Sequence, residues 1–296
     1  MPALPNSAAW LGSAVREAGA RIGASAARSL AAALARNRDL EQLHLHCNGL
    51  GVAGGVAVLT ALLPPREGGG EGGGGGGGTC GGARGKPRLQ RLTLSANGIG
   101  AGGARLAARV LRCCAPTLRV LDLSGNDVGD AGATSVARAI ASQRGLGGAP
   151  ARGGWGGGLR RLALRDNGIT RRGAEALARA LHPATGRGAG AGLEELDLSH
   201  NPLRGGGFNA SGLASALRGH PMLRRLELRC CALGDEDAMA LAEILLLGDG
   251  SGGSASGSTD GEAAGATLQS VAVDSNAWAG AAARQLEHAL ARRACC

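Results

Sequence analysis

The chain has 296 residues, 55 of them Gly, with one Phe, no Tyr and three Trp; an aromatic core is excluded, and any core must come from Leu, Ile, Val and Ala. Its 32 Lys and Arg against 23 Asp and Glu leave a formal charge of +9, which is compatible with nucleic acid, anionic membrane or acidic protein partners and selects none of them. No apolar run approaches the roughly 18 residues of a membrane-spanning helix.

The first forty residues carry Arg16, Arg21, Arg28, Arg36 and Arg38 against Glu17 alone before Asp39. That is the composition of an organelle transit peptide. Yet Ile22, Gly23, Ala26, Leu30 and Leu34 fit the second half of a unit that recurs downstream, so residues 1–39 read as a helical half-repeat capping the amino terminus.

The recurring unit begins at Leu40, Leu89, Leu118, Leu159, Leu193, Leu223 and Leu268. Aliphatic residues follow three and five places on, from Leu43 and Leu45 in the first unit to Val271 and Val273 in the last, alternating with polar ones. This is the period of a strand with one buried face. Eight places after each start stand Asn48, Asn97, Asn126, Asn167, Asn201, Cys231 and Asn276. An inward amide at every strand end makes sense if it pairs with backbone groups left free there. Gly54, Gly103, Gly132, Gly173 and Gly207 then recur. Apolar pairs four apart follow, such as Val136 with Ile140 and Leu286 with Leu290, which is one face of a helix. Each unit is predicted to be strand, turn and helix, giving seven repeats over 40–294 and a tail at 295–296. Surplus length falls between a helix and the next strand, as Gly-rich insertions at 64–88, 144–158, 183–192 and 248–267. Such segments read as flexible surface additions that cost little closure entropy.

This pattern resembles the leucine-rich repeat family, L-x-x-L-x-L-x-x-N/C-x-L with a helix per repeat. The 29 residues from Leu89 to Leu118, with the helix GARLAARVL, look like the ribonuclease-inhibitor-like class. Ran GTPase-activating proteins and the repeat regions of NLR-type receptors also belong to that class. The resemblance implies an α/β solenoid, a curved horseshoe with a parallel β-sheet on the concave face and helices on the convex face. It also implies a non-catalytic adaptor that binds a protein partner. The alternatives it carries are a GTPase-activating protein resembling the Ran regulators, or a sensor-repeat fragment of an NLR-type receptor. Departures are local: Cys231 replaces Asn; Thr170, Arg204 and Ala279 replace a turn Gly; the fifth helix is displaced to Leu213 and Leu217.

Stacked parallel strands put the polar residues between the leucines on the concave face. The densest charges there are Arg161, Arg165, Glu195, Asp197, Arg225, Glu227 and Arg229, the candidate partner-binding set. Glu195 falls between Arg161 and Arg225 on neighbouring strands, and mixed signs favour a protein over the uniform positive field a phosphate backbone needs. Nucleic acid is therefore not expected as a partner, nor is stable membrane association, and the protein is expected to be a cytoplasmic monomer. His44 and His46 form H-x-H without an obvious third zinc ligand. Arg109, Arg138 and Arg179 share one helix position and predict a basic convex stripe, read as a solubility feature.

The stretch GGARGKP around Lys86 fails as a phosphate loop, since Cys80 and Pro87 stand where Gly and Ser or Thr are needed. The sequon at Asn209 lacks a signal peptide, and the Cys295–Cys296 ending lacks the GTPase body that double prenylation requires. Eight Cys without zinc spacing predict free thiols. No nucleophile, base and orienting group can be assembled, so neither catalysis nor a cofactor or metal is expected.

Overall fold

The computed structural model describes residues 14–16, 22–37, 39–64, 88–115, 117–143, 158–182, 192–203, 216, 220, 222–247 and 268–294. The interiors of the four insertions, the Lys86 segment, Gly207 and Arg204, the displaced fifth helix at Leu213 and Leu217, the Asn209 sequon and the terminal Cys pair lie outside these residues.

Among the described residues strand and helix alternate except between β6 and β7: β1 (Ala14–Arg16), α1 (Gly23–Leu34), β2 (Gln42–His44), α2 (Gly51–Ala61), β3 (Arg91–Thr93), α3 (Gly100–Cys113), β4 (Val120–Asp122), α4 (Gly129–Ala141), β5 (Arg161–Ala163), α5 (Arg171–Leu181), β6 (Glu195–Asp197), β7 (Arg225–Glu227), α6 (Asp235–Leu247), β8 (Ser270–Ala272) and α7 (Gly280–Ala294). The strands form one eight-stranded sheet in sequential order, and every neighbouring pair is parallel. This is the α/β solenoid expected from the repeats. Strands sit about 4.8 Å apart whereas packed helices need about 8–10 Å, so a stack of such units curves with its strands on the inside. The amino-terminal segment contributes a strand as well as the expected helix, with Ala14, Val15 and Arg16 opposite Gln42, Leu43 and His44.

The core runs along the stack between sheet and helices. The leucines three and five places into each unit are buried from Leu43 and Leu45 to Leu226 and Leu228. Leu50, Ile99, Val128, Ile169, Leu203 and Leu233 form a further buried row behind the turns. In the last unit Leu268, Val271 and Trp278 are only partly buried, because no further unit covers them among the described residues.

The asparagines bind the units together. Asn126 Oδ1 accepts from the backbone N–H of Asn97 at 3.1 Å and of Ile99 at 3.4 Å, both in the preceding unit. Its Nδ2 donates to the carbonyls of Leu94, Leu123 and Ser124. Asn97, Asn167, Asn201 and Asn276 repeat the arrangement. At Cys231 it changes, because a thiol is a poor acceptor: Sγ donates to Leu198 and Arg229 carbonyls, and the Leu203 N–H turns to the backbone oxygens of Asn201 and Cys231.

Helix starts follow the same cross-unit logic. Gly51, Gly100 and Gly129 open α2, α3 and α4 at φ of +61°, +64° and +59°. Their N–H groups, orphaned at a helix start, donate to the carbonyls of Asn97, Asn126 and Asn167 in the next unit. Thr170, where that Gly is missing, is extended at φ −99° instead. Asp130 of the preceding unit takes the N–H of Thr170 at 2.8 Å, its hydroxyl at 2.7 Å and the N–H of Gly173 at 3.0 Å.

A candidate docking face on the strands

Five Arg (91, 161, 165, 225, 229) and five carboxylates (Asp122, Glu195, Asp197, Glu227, Asp274) project between the buried leucines of the strands and the turns that follow them. From β2 to β8 these charges therefore balance formally, on a chain of charge +9. Strand pairing brings Arg161, Glu195 and Arg225 side by side. Glu195 receives both guanidinium groups, Arg161 Nη1 at 3.2 Å and Arg225 Nη1 at 3.0 Å. Beside it, Arg229 Nε lies 3.5 Å from Glu227 and 3.3 Å from Asp274. Arg165 Nη2 donates to Nε2 of His200 at 3.1 Å. Asp197 Oδ1 accepts from the backbone N–H of Ser199 at 2.9 Å, and Asp122 Oδ1 from that of Ser124 at 3.0 Å.

All seven candidate residues thus belong to β5, β6, β7 or the turns that follow them, and six are joined to a named neighbour by a charged or imidazole contact, with Asp197 anchored on its own turn. Asp274 and His200 were missing from the set. Their positions six and seven places into their units were the available signal, but the contacts depend on which way Arg229 and Arg165 turn. A second pair, Arg160 Nη1 with Glu194 Oε1 at 3.0 Å, lies one residue earlier in the same two units. Arg119 in that row donates to the Gly158 carbonyl at 3.0 Å, and burial together with the Arg160 charge lowers its pKa.

His44 meets Thr93 Oγ1 at 3.2 Å and Gln42 Oε1 at 3.5 Å, so its ring is held by neighbours other than His46. Among the described residues no three His, Cys, Asp or Glu side chains converge as a metal ion requires. On the helix side Arg138 and Arg179 are exposed and Arg109 is half-buried. Cys47, Cys114, Cys230 and Cys231 are free thiols. Cys113, at the end of α3, is disulfide-bonded, which corrects the expectation of free thiols there; which thiols meet is decided by side-chain proximity, which repeat periodicity does not encode. No helix among the described residues is long and apolar enough to cross a membrane.

A family model described as Leucine Rich repeat matches residues 36–59, 114–137, 159–178 and 219–242, and one described as Leucine Rich Repeat matches 192–214. The chain therefore carries leucine-rich repeats, and the units starting at Leu89 and Leu268 share their strand, turn and helix. No curated protein matches the chain.

Proposed function

We propose that this leucine-rich-repeat solenoid is a non-catalytic adaptor that docks a protein partner on its strand face through Arg161, Arg165, Glu195, Asp197, Arg225, Glu227 and Arg229. The carrying observation is the Arg161–Glu195–Arg225 bridge beside the Arg229 pairs. Charged groups held in register on a sheet confer orientation and partner choice more than raw affinity. Exposed ion pairs are worth about 0–1 kcal/mol to stability, so the fold has little need of them. The mixed signs of the face argue against a phosphate backbone as its ligand. We also assign the chain to the ribonuclease-inhibitor-like class, on the 29-residue spacing of Leu89 and Leu118 and on helices of 11 to 15 residues from α2 onward.

The test compares two charge reversals of equal size. Arg165→Glu with Arg229→Glu should abolish co-purification of the partners retained by the wild-type chain, with unchanged circular dichroism. Arg138→Glu with Arg179→Glu on the helix side should leave it intact. The opposite result would move the docking surface to the helices.

A further inference from the structure

The formal balance of the strand face conceals a separation of charge along the strands. In the units starting at Leu89, Leu118, Leu159, Leu193 and Leu223, the two places after the leucine hold Arg91, Arg119, Arg160, Arg161, Arg224 and Arg225 against Glu194 and Glu195 alone. From the strand ends into the turns of the same units the sign reverses, with Asp122, Asp127, Asp166, Asp197 and Glu227 against Arg165 and Arg229. The entry end of the strands is thus in positive excess and the exit end in negative excess.

Backbone pairing makes the entry end continuous. The N–H groups of Arg119, Arg160, Glu194 and Arg224 each donate to the carbonyl at the same place in the preceding unit, at 2.7–2.8 Å. Both glutamates are already engaged, Glu194 by Arg160 and Glu195 by Arg161 and Arg225. Arg91, Arg119 and Arg224 enter no ion pair among the described residues. Arg119 is half-buried, with Nη1 fixed on the Gly158 carbonyl at 3.0 Å, and burial and the Arg160 charge both lower its pKa. A cation kept beside a like charge without a counterion is stabilised by an anion that lands on it.

Dimensions select among anions. The two ends of the face are about 7–13 Å apart along a strand. A nucleic-acid duplex, whose major groove alone is about 12 Å wide, would lay phosphates on the acidic end as well as the basic one. A single strand would need aromatic platforms for its bases, and none stands in these strands and turns. An extended peptide is narrow enough to occupy the entry end alone. Its carboxylates suit guanidinium forks, which bind them bidentately. From β3 to β7 the row spans about 19 Å, the length of about six extended residues.

We propose that the entry end of the strand face, from Arg91 to Arg225, seats an acidic segment of the docked protein, an extended run of Asp and Glu lying across the strands. The proposal rests on the strand face being the docking surface and names the chemistry it reads.

The experiment titrates the isotope-labelled full chain with an acetylated and amidated hexaglutamate, with the matching hexalysine and with a short DNA duplex, reading amide chemical shifts. Hexaglutamate should move the amides of Arg119, Arg160 and Arg224 and leave those of Asp127 and Asp166 in place, and hexalysine should not move the first set. Arg91→Glu with Arg224→Glu, both exposed and outside the ion pairs, should weaken hexaglutamate binding at least tenfold with unchanged circular dichroism. Arg138→Glu with Arg179→Glu on the helices makes the same change of net charge and should leave binding nearly unaltered. Equal weakening by the two pairs would reduce the effect to net charge and overturn the proposal, as would a duplex that binds these amides more tightly than hexaglutamate at physiological salt. If hexaglutamate leaves the amides unmoved while Arg165→Glu with Arg229→Glu still abolishes co-purification of partners, the acidic seat is wrong and docking on the strand face stands.

Discussion

Asn126 shows how much of the solenoid rests on single amides. Each carbonyl it serves has a second donor: Asn97 Nδ2 for Leu94, Asn167 Nδ2 for Leu123 and the Ala96 N–H for Ser124. The N–H groups of Asn97 and Ile99 would be stranded without it, at about 1–3 kcal/mol per buried unsatisfied group. Asn126→Leu is therefore expected to cost about 2 to 4 kcal/mol in chemical denaturation. Asn276→Leu should cost less although it removes the same kinds of bond, because Asn276 is half-buried and water reaches the groups it leaves. Equal costs would refute the ladder. The buried thiols supply a second test. Burial pushes Cys114 up to about 12 and Cys231 up to about 11, from 9.0. Above pH 9 the unfolded chain ionises these thiols while the folded one keeps their protons, so their contribution is full below pH 9 and lost as pH rises through 11 to 12. Between pH 8 and pH 10.5 the wild type should lose more stability than a Cys114→Ala, Cys231→Ala double variant.

Among the elements, the helices approach one another through small residues. A Cβ at Gly132 of α4 would lie 2.8 Å from the Ala104 Cβ of α3 and would collide with Val128. Neither neighbour is the end of a flexible side chain, so Gly132→Ala should destabilise by about 1–3 kcal/mol. Gly102, on the exposed side of α3, has open space around its would-be Cβ and an ordinary helical backbone. Gly102→Ala should therefore stabilise by about 0.5–1 kcal/mol. Two identical substitutions of opposite sign, read from melting temperatures, separate helix propensity from helix packing.

For the whole molecule, the question is whether the stack depends on its insertions. β2 and β3 are separated by the longest interval between repeat starts, yet they pair in the common register, with Gln42 opposite Arg91 and the Gln90 N–H donating to the Glu41 carbonyl at 2.7 Å. α2 and α3 also pack together, though less extensively than the other neighbouring helix pairs, and a Cβ at Gly55 would meet Ile99 Cγ2 at 2.5 Å. The strand register thus runs unbroken from β2 to β3 despite the length of chain between them. Excising residues 68–78, which lie outside the described residues, should leave a cooperative melt within a few degrees of the wild type, since loop length enters closure entropy only logarithmically. Loss of cooperativity on circular dichroism would make that segment structural.

By itself, the sequence determined the solenoid, the buried leucine rows, the asparagine ladder and the Arg161–Glu195–Arg225 juxtaposition. In a repeat protein, residues at equal offsets in successive units become lateral neighbours, so register follows from counting. Tertiary structure decided what periodicity cannot carry. Arg229 turns to Asp274 and Arg165 to His200 through side-chain torsions that repeat offset leaves free. Thr170 dispenses with a left-handed glycine because Asp130 of another unit caps its turn. β1 forms because a strand edge on β2 is there to pair with, although residues 14–16 show no leucine signature.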